Sequence, residues 1–305
     1  MSAVTKIQQE YNIIGRTEEL RQALLAIAAK KHILIEGPVG VGKTVMAMAI
    51  ANFLKRRIFR VDGDERYTEQ KLVGWFDPPL VMSQGYSRKA FIEGPLTQAM
   101  TEGAFLFINE LNRMPEGTQN VLLPAMDEGR ITIPHIGTVE AKEGFLIIAT
   151  QNPEEYIGTS RLSEALKDRF VWVRLDYQSE EEEVAIVRKE AGSCDDELIQ
   201  LAVKIVRKTR NSADIRRGAS IRGAIDIVAI TERMIPKRIA ELDEPTIKEA
   251  IGTAAIMALP SKIEIMEGSH EKVVEVVRKI VNGALEEYFR LKKVSPELLA
   301  PPKNF

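Results

Sequence analysis

The sequence predicts an α/β half with a parallel sheet, followed by a smaller all-α half. Three observations carry this. Short apolar runs alternate with helical periodicities up to about residue 176. Beyond Ser179 the strand-like runs stop and helical periodicity continues. The 305 residues are 45% hydrophobic and 28% charged, enough to bury a core without covalent staples.

Taken in order, Thr17 to Ala29 carries Leu20, Leu24, Leu25 and Ala28 at helical spacing. His32 to Glu36 is a buried strand bounded by Gly-Pro, and Lys43 to Leu54 a helix. Ile58 to Val61, Ala104 to Ile108, Phe145 to Thr150 and Val171 to Leu175 are four further strands. Strands separated by helices argue a parallel sheet covered on both faces. Helices are then expected over 180–189, 195–209, 221–234, 246–259 and 271–293, with Pro296 to Phe305 a loose tail. The expected border puts an α/β domain at 1–176 and a helical domain at 177–305.

Net charge of −2 and a pI near 6.1 give no electrostatic reason to expect nucleic acid as the main partner. The polar N-terminus is not a secretory signal, and the apolar stretch Val45 to Leu54 is too short to span a bilayer, so a cytoplasmic location is expected. The lone Cys194 cannot pair within the chain, which fits a reducing compartment and an inert thiol. Three histidines, His32, His135 and His270, offer no metal-ligand spacing. The basic runs Arg207-Lys208-Thr209-Arg210 and Arg216-Arg217 are short and surrounded by acids, as on a solvated face.

The chemistry-bearing signal is Gly37-Pro38-Val39-Gly40-Val41-Gly42-Lys43-Thr44, with Val45 after it, a full match to G-x-x-x-x-G-K-S/T between a buried strand and a helix. Glycines let backbone N–H groups turn inward onto phosphate oxygens, and the helix N-terminus adds partial positive charge. Lys43 can reach β- and γ-phosphates, and the Thr44 hydroxyl can ligate Mg²⁺, so ATP and Mg²⁺ are the expected ligands.

Such a site needs an acidic pair at the end of another strand, one carboxylate on the metal side and one to activate water. Phe105 to Ile108 runs into Asn109-Glu110. Glu110 fits the water-activating role. Asn109 holds the magnesium-side position, where aspartate is usual and an amide can act only through metal-bound water. Three explanations stay open: a tolerated natural residue, weak turnover in a nucleotide switch, or an introduced substitution.

With these residues in place the chain resembles the MoxR family of AAA+ ATPases, from about Ile14 to Leu259. Asn109-Glu110-Leu111-Asn112-Arg113 is similar to the family's D-E-I-N-R block, and Ala149-Thr150-Gln151-Asn152-Pro153 to its A-T-Q-N-P signature. Asn152 is by that match the sensor of the γ-phosphate or lytic water. Leu162-Ser163-Glu164-Ala165 leading to Asp168-Arg169-Phe170 resembles L-P-E-A-x-x-D-R-F and implies Arg169 as an arginine finger for a neighbouring subunit. Gly218-Ala219-Ser220-Ile221-Arg222 resembles G-A-S-P-R, with Ile221 at the proline position, and implies Arg222 as a second sensor. Ile14-Gly15-Arg16 resembles the adenine-pocket segment; Gly74 to Pro95 holds the family's insertion and Gly129 to Val139 its hairpin.

The resemblance implies ATP held between the two domains and against the next subunit of a ring, usually a hexamer. It also implies a partner carrying a von Willebrand factor A domain, and a task of remodelling or maturing that partner. Two other functions stand beside it: an ATP-binding switch with little hydrolysis, and a nucleic-acid motor.

Overall fold

A computed structural model describes residues 2–152, 162–267 and 272–298. The chain divides into two compact units, Met1–Tyr177 and Gln178–Phe305.

The first unit is built on five strands: β1 (His32–Glu36), β2 (Ile58–Asp62), β3 (Phe105–Asn109), β4 (Leu146–Gln151) and β5 (Phe170–Arg174). They form one parallel sheet in the order β2-β3-β4-β1-β5. Parallel pairing demands crossover connections, and these cover both faces, so β1, β3 and β4 are near-continuous apolar runs.

Alternate residues sort onto the two faces. Ile33, Ile35, Phe105, Phe107 and Ile148 pack with the helices Thr17–Ala28 and Lys43–Phe53. Leu34, Leu106, Ile108, Ile147 and Ala149 pack with Leu96, Ala99 and Met100 of the helix Pro95–Glu102. Thr17–Ala28 buries Leu20, Ala23 and Ala26. Leu25, expected on the inner face, is more than half exposed. The two alanines let the helix lie close, which turns Leu25 outward.

Two excursions leave the sheet. Gly74–Phe76 pairs antiparallel with Phe91–Glu93 around the helix Pro78–Gln84, which Asp77 caps. Arg130–Ile133 and Gly137–Glu140 form a hairpin, with His135 at φ 65° in its turn. Tyr86 stacks on His135 with ring centres 4.3 Å apart, and Phe76 meets Tyr86, Phe91 and His135 edge to face. These aromatics join one excursion to the other.

In the second unit the helices Glu180–Ala191, Asp196–Arg210, Ile221–Met234, Glu244–Ala258 and Val273–Leu298 enclose a core of Leu198, Leu201, Val206, Ile227, Ile251, Val277 and Leu285. Ser179 opens the first of them with a capping box to Glu182. The unit is not wholly helical, because Ile215–Arg217 pairs antiparallel with Glu264–Ile265. With one apolar residue in three, the first of these segments carries no strand signal. Pro296 lies in the last turn of a helix rather than in a tail; 299–305 and His270 lie outside the described residues. Cys194 is free and exposed.

Arg207 and Arg210 are not on a solvated face. Both pair with Glu183, which is only 3% exposed, at 2.8 and 2.7 Å. A carboxylate this deeply buried needs both partners.

His32 is half-buried at the start of β1. Its Nδ1 accepts the Ile147 N–H at 2.9 Å, and burial holds its pKa down at about 4. The folded chain therefore stays neutral at His32 while the unfolded chain takes up a proton below about pH 6.5. Stability is present above that value and is lost as pH falls toward about 4. Denaturant titrations at pH 7 and 5 are expected to differ by about 2 kcal/mol from this group alone, and His32→Gln is expected to flatten that slope.

Candidate functional site

The loop after β1 has the shape its glycines permit. Gly40 and Gly42 sit at φ 81° and 91°, where other residues are strained. A side chain at Gly42 would meet open space, so backbone conformation alone imposes glycine there. Gly37 is fixed differently: its N–H donates to Gln151 O, and a Cβ would overlap the Leu175 carbonyl oxygen. The helix Lys43–Phe53 begins with no side-chain cap, leaving its first-turn amides to an outside acceptor. Lys43 Nζ lies over the loop, donating to Gly37 O and Pro38 O at 2.5 and 2.7 Å. Val45 is exposed and Val41 buried, the latter's carbonyl accepting from Arg16 at 2.9 Å. A glycine turn, an uncapped helix start and the Lys43 ammonium together fit a polyphosphate.

Arg16 is nearly buried and also reaches Asp176 O at 2.7 Å, tying the loop to the chain beyond β5. Its own φ of 60° follows Gly15 at 66°, and Gly15 O accepts from Gln8 at 2.6 Å. Ile14-Gly15 is thus a sharp, bonded turn beside the loop's anchor.

At the carboxyl ends of the neighbouring strands the expected residues meet. Asn109 Oδ1 accepts from the Thr44 hydroxyl at 3.2 Å and from the Thr150 hydroxyl at 3.0 Å. Thr150, fully buried, also accepts the Glu110 N–H at 2.9 Å. Glu110 has φ 56°, a left-handed conformation rare outside glycine. It is held there by Thr150 and by Gly63, whose Cα packs so closely that a Cβ would overlap Glu110 O. Its carboxylate pairs with Arg113 at 3.0 Å.

On the far side of Asn109, Nδ2 donates to Asp62 at 3.1 Å. Arg60 holds the Asp62 carboxyl below the usual carboxylate range, with help from Asn109. Among the described residues no cluster of three or more His, Cys, Asp or Glu is placed to hold a metal. Magnesium suits this donor set all the same, because it keeps waters and takes phosphate oxygens beside one or two protein oxygens.

Asn152 is nearly buried just past the end of β4, where its backbone carbonyl accepts from Asn112 at 3.4 Å. Pro153 and Gly158, Thr159 and Arg161 lie outside the described residues. Arg169 reaches Asp127 and Ala165 O within its own chain, and Asp127 raises its pKa further. In the second unit Arg222 stands in the first turn of Ile221–Met234. The segment before it is gripped by the end of Asp196–Arg210: Arg210 Nε donates to Ala219 O and the Ala219 N–H donates to Thr209 Oγ1, each at 2.9 Å. Arg210 in turn rests on Glu183.

Sequence reasoning missed Asp62, Thr150 and Arg16 as structural members of this site. Arg16 and Thr150 lay inside quoted motifs without a role of their own, and Asp62 had only the signal of a polar end to the strand beside Asn109.

Residues 32–170 match the family model of the AAA domain, dynein-related subfamily. The chain is 32% identical over 248 residues to the uncharacterized protein YojN of Bacillus subtilis, covering 77% of this chain and 81% of that one. It is 31% identical over 225 residues to the gas vesicle ATPase GvpN of Haloferax mediterranei, covering 68% of this chain and 64% of that one. Among solved structures, the Thermotoga maritima RuvB Holliday junction branch migration motor aligns with a TM-score of 0.51 at 20% identity, over 79% of this chain and 70% of that one. This last likeness is one of fold.

Two substitutions test the supports. Gly63→Ala must push β2 from Glu110 and is expected to cost about 1–3 kcal/mol in denaturant unfolding. Glu183→Leu leaves two arginines facing an apolar side chain and is expected to cost about 3–5 kcal/mol, read on the helical unit's unfolding transition.

Proposed function

The chain belongs to the AAA+ ATPases of the MoxR type, and from this we propose that it binds and hydrolyses ATP, using the energy to remodel or mature a partner protein. The observation that supports this best is the bonded chain Thr44–Asn109–Thr150–Glu110 at the carboxyl edge of the sheet, beside the glycine loop. Open α/β sheets bind ligands at that edge.

In this reading the loop Gly37 to Val45 wraps the phosphates, with backbone amides from Val39 onward as the donors, and Lys43 leaves its two loop carbonyls for β- and γ-oxygens. Thr44 and Asn109 would hold Mg²⁺, the threonine through its hydroxyl and the amide through a metal-bound water, and the ion would supply positive charge to the phosphate oxygens. Glu110 accepts a proton from the attacking water as the new O–P bond forms. The bond from the γ-phosphorus to the bridging oxygen breaks, and ADP leaves with that electron pair. Its backbone, pinned by Thr150 and Gly63, keeps the carboxylate from swinging away. By resemblance, Asn152 would be the sensor of the γ-phosphate, Arg222 a second sensor, and Ile14-Gly15 would border the base.

Arg169 would act on the next subunit's nucleotide in a ring, by resemblance a hexamer. In this structure it is partly buried and paired with Asp127 of its own chain, a contact it would exchange for the neighbour's phosphate. A partner with a von Willebrand factor A domain and a cytoplasmic setting belong to the same reading. No helix among the described residues is long and apolar enough to cross a membrane. The gas-vesicle relative lends the word ATPase rather than its cargo. A low-turnover switch is the second reading, favoured by the uncharged amide of Asn109. The net charge of −2 weighs against a nucleic-acid motor.

Phosphate release and thermal melting test this together. Saturating Mg·ATP is expected to raise the melting temperature of the native chain, with no rise in Lys43→Ala. Glu110→Gln is expected to keep the rise but lose about 10²-fold or more in turnover. Nucleotide-independent melting of the native chain would overturn the proposal, and undiminished turnover in Glu110→Gln would remove Glu110 from its role.

A further inference from the structure

One contact at the site belongs to none of the sequence motifs. Asp62 ends β2 directly opposite Asn109 in the parallel register, and its Oδ1 accepts from Asn109 Nδ2 at 3.1 Å. Arg60, two residues back on the same strand, fixes the carboxylate with Nε at 3.2 and 3.1 Å and Nη2 at 2.8 Å. At the opposite end of the amide, Asn109 Oδ1 receives Thr44 and Thr150.

A carboxamide has two ends of nearly the same shape and opposite hydrogen-bonding character. The hydroxyls of Thr44 and Thr150 can donate or accept, so by themselves they accommodate either end. Thr150 is biased by its bond from the Glu110 amide, but a hydroxyl oxygen has a second lone pair and no fixed preference. An ionised carboxylate only accepts. It takes the NH₂ group for its own side and leaves the oxygen for Thr44.

We propose that Asp62 is a positioning residue that locks the Asn109 amide with its oxygen toward Thr44, restoring an acceptor at the end of β3 where aspartate is usual. The inference rests on the nucleotide reading above, since its consequence is felt by the water of a magnesium ion beside Thr44. Reversed, the amide would aim two N–H donors at that water, which a cation already polarises into a donor. An aspartate at 109 would need no orienting partner, because both its oxygens accept. Asp62 and the identity of residue 109 are therefore coupled: the first matters because the second is an amide.

The test is a double-mutant cycle on the full chain, reading the affinity of a fluorescent ATP analogue with magnesium and with EDTA. The ratio of the two affinities is the magnesium enhancement. Asp62→Ala is expected to lower it about tenfold while leaving EDTA affinity unchanged, since a hydrogen bond to a charged group is lost. In the Asn109→Asp background the same substitution is expected to lower it not at all. Asp62→Asn, whose own amide can meet either end of Asn109, is expected to lie between the two and serves if the alanine variant does not fold. An enhancement untouched by both Asp62 substitutions, or equal losses in the two backgrounds at position 109, would overturn the inference while leaving nucleotide binding intact. A native chain that binds the analogue without magnesium enhancement would overturn it too. A native chain that binds the analogue in neither buffer overturns the functional reading itself, and this inference with it.

Discussion

The hydroxyl of Thr150, buried at the end of β4, accepts the backbone N–H of Glu110 and donates to the side chain of Asn109. A hydroxyl is small and has one proton to give, so both bonds are made only when β3 and β4 keep their observed register, with Ile108 beside Ala149. A slip of one residue would turn every side chain to the other face of the sheet. The site thus inherits its accuracy from the packing of two apolar strands, whose alternate residues are locked into separate cores. A left-handed glutamate would be costly on its own, and it persists here because the surroundings over-determine it.

The central strands β1, β3 and β4 were legible in the sequence because each is a bounded apolar run, a pattern that follows in a parallel sheet from coverage on both faces. The edge strands β2 and β5 showed shorter apolar signals broken by exposed residues. The glycine loop was legible for a related reason: its spacing and its flanking elements are local facts. Asp62 and Arg16 were not, since their partners are brought near by strand order and by the turn at Gly15, neither of which a linear pattern contains. The basic run 207–210 misled for the opposite reason. Composition placed it among acids, but could not say that one of them, Glu183, is inside. Likewise Leu25 fits a helical stripe by spacing, while Ala23 and Ala26 decide which stripe lies close to the sheet.

The helical unit shows how a structural charge can serve a distant residue. Glu183 holds Arg210, Arg210 holds the carbonyl of Ala219, and Ala219 precedes the helix that carries Arg222. Gly218 is required beside it because a Cβ would strike Arg210. The departure from the family pattern at Ile221 is absorbed here: a proline would have preset the helix start, whereas the native chain uses side-chain bonds from the preceding helix to fix the same entry.

The stacking of Tyr86 on His135 has a mechanical meaning. The segment around Pro78–Gln84 and the hairpin 130–140 spring from different strands, yet their tips share one aromatic clasp with Phe76 at its centre. A displacement of either excursion would therefore have to break or carry with it the ring contacts of the other. The cluster is thus anchored to the sheet by two separate connections, one after β2 and one after β3.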